Sequence, residues 1–303
     1  MSTILISGGS GLIGSRMSQL LTEKGYTVIH LSRNPSKKAG YDSYRWDLDK
    51  DYIDNEAIQR ADYVVSLAGA GIADKRWTPS RKKLIIDSRV RSNLLLKKSF
   101  EQLGKVPKAY VAASAIGYYG DRGETLVNET SGPGKGFLPE SCIAWENAIH
   151  AVNDNGWRSV ILRVGIVLST RGGALEKMIQ PMAFRMGAYF GNGQQYYSWI
   201  HIDDLCRMFI WSIENEEAKG IYNAVSPYPV SNKQLAYDLG RAMDRKALIL
   251  PTPAAALRIA MGEMADVVLT STRVSAQKML DAGFGFQYPA ILPALKDVLD
   301  RKI

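Results

Sequence analysis

Cysteine and histidine are scarce in this chain. Two cysteines, Cys142 and Cys206, among 303 residues give no disulfide framework and fit a reducing compartment. With three histidines there is little material for a metal site. His201 with Asp203 and Asp204 gathers ligand types, but its position at a helix start reads as capping and dipole pairing, so no metal is expected. No stretch of about 18 apolar residues occurs, and the beginning of the chain lacks the charged and apolar regions of a leader peptide. The protein is therefore expected to be cytoplasmic and not membrane-embedded. Acidic residues are outnumbered, 30 against 38 lysines and arginines, for a net charge of +8. A basic stripe interleaved with aromatic platforms is missing all the same, so nucleic acid is not an expected partner. Repeats and low-complexity tracts are also missing. The length allows one large domain, or a nucleotide domain with a smaller companion.

What is present begins at the first strand. Thr3 to Gly14 reads TILISGGSGLIG, an apolar β-branched run that breaks into a glycine turn and reopens as a helix over Leu12–Lys24. Gly9, Gly11 and Gly14 satisfy G-x-G-x-x-G, and Gly8, Gly11 and Gly14 satisfy its longer variant. One glycine makes a tight turn, one lets backbone approach a diphosphate, and one lets helix pack on strand. The helix then aims its positive end at the phosphates. Gly8, Gly9, Ser10, Gly11, Leu12, Ile13 and Gly14 are therefore expected to bind a dinucleotide.

The next strand, Thr27–Ser32, decides which one. An NAD binder usually carries an acid about 20 residues past the glycines to accept the ribose hydroxyls. Here Ser32 and Arg33 are followed by Lys37 and Lys38. A guanidinium with nearby ammonium groups suits a 2′-phosphate, so NADP(H) is the expected cofactor; the competing account is a solvated basic loop.

Strand and helix patterns alternate through the first half. Strands are expected at Tyr44–Leu48, Tyr63–Ala68, Lys108–Ser114 and Arg158–Leu168. Helices are expected near Asp54–Arg60, from Pro79 towards Leu103, and near Phe137–Asn155. This alternation predicts an α/β fold, a doubly wound parallel sheet of Rossmann type with a smaller, mostly helical C-terminal cap. The switch-point rule puts the ligand at the carboxyl ends of the strands, on a rim holding Gly8–Gly14, Arg33, Asp47, Ala68, Gly69, Ala70 and Ser114, and Leu48, Leu67 and Val164 are also expected among the cofactor contacts. Past Ser169 the rhythm loosens. Trp199 to Asp204 is expected to open an apolar helix through Trp211, Ile221–Val225 to form a last strand, and Pro251 and Pro253 to break a helical remainder. The expected division is a nucleotide domain over 1–168, completed by about 199–225, and a substrate cap from 169–198 and 226–303.

These positions together resemble the extended short-chain dehydrogenase/reductase superfamily, of the NAD-dependent epimerase/dehydratase type. The matches are Gly8–Gly14, Val64 to Gly69, Ala113-Ser114 through Tyr119-Gly120, and Gly191 to Gln195 before Trp199 to Asp204. Asp74 to Thr78, Ser88-Arg89-Val90, Cys142 through Trp145-Glu146, and Gly283-Phe284 with Tyr288-Pro289 are similar to an atypical subgroup, epimerase family proteins with a conserved C-terminal domain. The resemblance implies NADP(H) and adds Arg89 to the cofactor contacts. It also implies a shaped pocket, for which Arg76, Trp77, Trp145 and Trp199 are the candidates. Long helices such as Thr78–Leu103 and Phe137–Asn155 pair subunits in similar proteins, so a monomer or a homodimer is expected.

Ordinary members use a Tyr-x-x-x-Lys pair, in which the tyrosine exchanges a proton with substrate and the lysine lowers its pKa. No tyrosine here has a lysine four residues later; Cys142 and Glu146 stand at that spacing. A carboxylate would not acidify a thiol, so the standard mechanism does not transfer. Ser114 matches the family's serine one residue early, leaving either Ser114 or Ala115 at the catalytic place. Tyr118 and Tyr119 are replacement acids or pocket-wall aromatics, and Cys142 is a nucleophile or a small buried hydrophobe. Similar sugar-nucleotide epimerases place an arginine after the G-x-G-x-Q turn; Tyr196-Tyr197-Ser198 stands there instead, with Arg76 or Arg171 as substitutes from other loops. Two functions follow: an NADP(H)-dependent oxidoreductase or epimerase acting on a small carbonyl or hydroxyl substrate, or a non-catalytic NADP(H) sensor or scaffold.

Overall fold

The computed structural model describes residues 1–35, 40–153, 156–244 and 247–301. Lys37, Lys38 and Asn155, named above, lie outside the described residues. Apolar runs become central strands because helices cover both faces of a parallel sheet. The first half contributes β1 (Thr3–Ser7), α1 (Leu12–Glu23), β2 (Thr27–Ser32), β3 (Asp42–Asp47), β4 (Tyr52–Ile53), α2 (Asn55–Arg60), β5 (Tyr63–Ser66), α3 (Pro79–Gln102) and β6 (Ala109–Ala115). After β7 (Leu126–Val127) and α4 (Phe137–Asn153) comes β8 (Ser159–Val164). The helix starts follow from their caps. Asp54 accepts from the Glu56 amide to open α2, and Thr78 accepts from Arg81 ahead of Pro79 to open α3.

The Arg158–Leu168 run is two strands, not the one expected. Gly165 separates β8 from β9 (Ile166–Leu168). A Cβ on Gly165 would lie 2.5 Å from the Ser198 carbonyl, so only glycine lets the chain pass there. Next come α5 (Gly173–Met182), β10 (Met186–Phe190), β11 (Tyr196–Tyr197), β12 (Trp199–His201), α6 (Ile202–Glu214) and β13 (Gly220–Ala224). Trp199 therefore begins a strand, paired in parallel with β9, and the helix starts three residues later. His201 caps it, Nδ1 accepting from the Asp203 amide at 3.1 Å. Asp203 and Asp204 pair with arginines, which accounts for this cluster without a metal.

The large sheet runs β13-β8-β6-β5-β1-β2-β3-β4, and its pairs are parallel except β3 with β4. This is the doubly wound Rossmann-type architecture, with α1 against α6 and α3 against α4. Parallel strands bring the carboxyl ends of β1, β2, β5, β6 and β8 to one edge. The chain then forms β14 (Val230–Ser231), α7 (Asn232–Ala242), β15 (Leu248–Thr252), α8 (Ala254–Met261), α9 (Asp266–Leu269), β16 (Arg273–Val274), α10 (Gln277–Asp281) and α11 (Ile291–Asp300). Pro251 sits inside β15, opposite Tyr189 of β10, instead of breaking a helix. A two-stranded sheet leaves an edge where a missing N–H costs nothing. Among the described residues three apolar clusters result, one through the large sheet, one where β9 and β12 meet α5, α7 and α11, and a small one around Tyr119, Val127 and Val274. Among the described residues no helix is long and apolar enough to cross a membrane.

Candidate functional site

Steric contacts give each glycine of the first turn a separate task. Gly8 holds φ +81°, in the left-handed region, and a Cβ there would lie 3.1 Å from the Leu67–Ala68 backbone. A Cβ on Gly9 would sit 2.4 Å from the His30 ring. On Gly14 it would meet the Gly8 carbonyl oxygen at 2.4 Å and Gly9 Cα at 2.7 Å, so α1 lies directly on the turn. Gly11 is exposed and caps α1 with no side chain on the first-turn amides. Exposed Ser10 and half-buried Leu12 border a cleft at this helix end, facing Arg16, Arg171 and Arg301. Ile13, half-buried, is in the first turn too. His30, whose Nε2 lies 2.8 Å from Ser18 Oγ, was not visible as a partner in the sequence. Its burial lowers its pKa, which favours the neutral ring beside the turn.

The other rim residues occupy the same edge. Ser32 Oγ donates to the Asn34 carbonyl at 3.0 Å, closing a small turn that leaves Arg33 exposed. Arg33 has no ion-pair partner among the described residues. Asp47 Oδ1 accepts from the Asp49 amide at 3.0 Å, and the Leu48 carbonyl accepts from Arg91. Leu67, Ala68, Gly69 and Ala70 leave β5 beside Gly8. A fold-specific fit to a dinucleotide is thus present: a turn where Gly9 and Gly14 have no room for a Cβ, α1 amides without a side-chain cap, and, among the described residues, an unpaired guanidinium after β2.

The expected catalytic groups are brought together, but not around one open space. Ser114 Oγ donates to Glu146 Oε1 at 2.6 Å. Arg163 of β8 grips the same carboxylate twice, Nε to Oε1 at 2.9 Å and Nη2 to Oε2 at 2.7 Å. Its Nη1 donates to Tyr119 Oη at 3.0 Å, and that hydroxyl donates to Asn223 Oδ1 at 2.7 Å. The guanidinium also lies 3.5 Å from the Tyr118 ring centre. Burial alone would lower the Arg163 pKa, but the Glu146 bonds outweigh it and raise it. Tyr119 is fully buried, which pushes its phenol up to about 12. Both hydroxyls, Ser114 and Tyr119, are therefore committed to a buried network. Arg163 is the member that sequence reasoning missed, because its partner stands on a different element.

An apolar cavity of about 260 Å³ opens beside this network, at the ends of β6 and β8. Ala115, not Ser114, is at its wall, together with Cys142, Trp145, Val164 and Arg89. Tyr196, Val267 and Thr270 close it from the later part of the chain. Cys142 Sγ donates weakly to the Ala115 carbonyl at 3.7 Å. Burial and then the nearby Glu146 push its thiol up to about 12, so it holds its proton at neutral pH and is a poor nucleophile. Of the expected pocket aromatics, Trp145 is in the wall. Trp77 instead packs on Phe137 with its Nε1 donating to Ile72 O. Trp199 is fully buried in the second cluster, its Nε1 donating to Tyr228 O, because β12 pairs inward with β9. Arg76 reaches the Ile259 carbonyl at 3.3 Å, outside the cavity wall. Arg89, expected among cofactor contacts, is in the cavity wall.

Residues 4–224 match the NAD dependent epimerase/dehydratase family. The chain belongs to that family. Residues 252–298 match a second family, described as a domain of unknown function (DUF1731), which fits an atypical epimerase family member. An epimerase family protein of Staphylococcus aureus is 35% identical over 306 residues, covering 99% of each chain. One from Mycobacterium leprae is 33% identical over 301 residues, covering 99% of this chain and 96% of its own. The crystal structure of a human epimerase family protein, SDR39U1, with NADPH superposes with a TM-score of 0.88 at 29% identity, covering 99% of both chains.

Proposed function

We propose that this epimerase family member binds NADP(H) and acts as an oxidoreductase or epimerase on a small carbonyl or hydroxyl compound, without the usual Tyr-x-x-x-Lys pair. The observation that carries this reading is the placement of the glycine cradle and the apolar cavity on one edge of the sheet. Gly8 to Gly14 and the α1 amides would hold the diphosphate, and Arg33 the 2′-phosphate. The human relative described with NADPH supports that choice. When bound, the cofactor supplies hydride exchange. The chain's own residues bind and orient. Ala115 and Trp145 shape the wall, Cys142 keeps its proton, and Arg89 presents a cation to a substrate oxygen. The Glu146–Arg163 pair fixes α4 on β8 and so sets the distance between Cys142 and Ala115.

Arg33→Ala should weaken NADPH binding at least tenfold and NADH binding less than twofold, since charge-assisted bonds to a phosphate would be lost. Calorimetry with both cofactors checks this; equal losses would show that Arg33 does not read the 2′-phosphate.

A second reading, an NADP(H) sensor without turnover, is favoured by one observation: the Ser114 and Tyr119 hydroxyls are both spent inside the buried network. NADPH consumption with a panel of small aldehydes and ketones separates the two. Turnover above the substrate-free rate is the expected result. Micromolar NADPH binding with no turnover on any compound would assign sensing instead.

A further inference from the structure

The cavity wall contains a cation with no counter-charge. Arg89 comes from α3, and its Nη1 donates to the carbonyls of Ala70 and Ile85, each at 2.9 Å. Its Nε and Nη2 have no partner among the described residues. The carboxylate that acts on it, Asp74, is engaged by Arg81. The residue is half-buried, and burial lowers its pKa.

Its position is over-determined. The guanidinium lies 4.9 Å from the Trp145 ring centre. It also fills the space left by Gly69, where a Cβ would come within 3.0 Å of it. Trp145 adds an independent observation. Trp145 is 8% exposed, it belongs to the same wall, and among the described residues its Nε1 has no hydrogen-bond partner. Buried donors are normally satisfied, so an unpaired indole N–H beside an unpaired guanidinium points to a missing acceptor. Most of the remaining wall surface is apolar, with Ile116, Leu138 and Ile166 prominent, and the Ser141, Ser198 and Thr272 hydroxyls in it are spent on backbone carbonyls.

We propose that the cavity binds a small, mostly apolar molecule carrying one carboxylate, which Arg89 and Trp145 Nε1 recognise while the hydrocarbon part fills the space against Ile116, Leu138 and Ile166. The inference rests on the reading of this cavity as the substrate site. It narrows the substrate class to acids such as keto or hydroxy acids with an apolar body. It also gives Arg89 to the substrate and not to a cofactor phosphate.

Phenylacetate and its neutral analogue phenylacetamide test it by calorimetry on the full chain, with and without NADPH. The acid should bind at least tenfold more tightly than the amide, since a fork-shaped cation rewards a carboxylate. Arg89→Met should reduce that ratio to less than twofold and change NADPH affinity less than threefold. Arg89→Lys, which keeps the charge and loses the fork, should retain a ratio of about threefold, and it carries the test if the methionine variant does not fold. Trp145→Phe should weaken the acid by about threefold. Equal affinity for the two probes in the wild type, or no binding of either at about 10 mM, overturns the proposal. So does an Arg89→Met or Arg89→Lys variant that keeps the full acid preference; a tenfold loss of NADPH affinity alongside would assign Arg89 to the cofactor. Failure of the wild type to bind NADPH would sink the functional reading, and the acid-to-amide ratio measured without cofactor would still stand or fall separately.

Discussion

Gly14→Ala should abolish measurable NADPH binding, with affinity falling at least hundredfold, and should cost about 2–3 kcal/mol of stability. The reason is that the new methyl would meet backbone, the Gly8 carbonyl at 2.4 Å and Gly9 Cα at 2.7 Å, which no rotamer change can relieve. Helix α1 would have to lift from the turn, and its amides would leave the place proposed for the diphosphate. Gly9→Ala provides the contrast. Its methyl would meet the His30 ring, a side chain, so His30→Ala in the same molecule should restore much of the lost affinity. No second substitution of that kind exists for Gly14. Fluorescence titration with NADPH and thermal unfolding check both variants. Wild-type affinity in Gly14→Ala would show that α1 does not rest on the turn as described.

Glu146→Ala should destabilise the protein by about 3–5 kcal/mol, because it leaves Arg163 buried without its carboxylate. Arg163 is 2% exposed, and Ser114 Oγ would lose its acceptor as well. The double change Glu146→Leu with Arg163→Met removes both charges together. It should recover stability to within about 2 kcal/mol of the wild type, as apolar replacements of buried pairs often do. Denaturant unfolding of the two variants measures this. If Glu146→Ala folds with unchanged stability, the pair does not hold α4 to β8. A large loss of turnover at unchanged stability would instead place Glu146 in the chemistry.

The two predictions concern residues of very different visibility. The glycine turn could be read directly, because an apolar run, three spaced glycines and a helical period all follow from local backbone requirements. The alternation of apolar strands and amphipathic helices likewise pointed to a parallel sheet with its ligand rim at the strand ends. Arg33 was singled out because it lies immediately after the strand whose end would meet the ribose of a dinucleotide. Glu146 and Arg163 lie 17 residues apart on a helix and a strand. Their pairing exists only once α4 is laid across β8, and nothing local to either residue announces it. The same is true of the choice between Ser114 and Ala115. Successive residues of a strand point to opposite sides, so a one-residue ambiguity in matching becomes a choice of wall or core. Trp199 shows the limit in another way. Its apolar neighbours fit a helix start or a strand equally well, and the partner β9, made available by the break at Gly165, decided for the strand.

The glycine turn therefore belongs to what the chain order alone established: the fold class, the tight turn after β1 and the basic residue after β2. These rest on interactions among near neighbours and on the period of the side chains. The tertiary structure decided that the expected serine and tyrosine hydroxyls are locked around Arg163, that Cys142 keeps its proton, and that Arg89 and Trp145 share one apolar wall. Those outcomes depend on which distant elements touch, and on burial, which changes the charge and the free hydrogen bonds of a group without changing its identity.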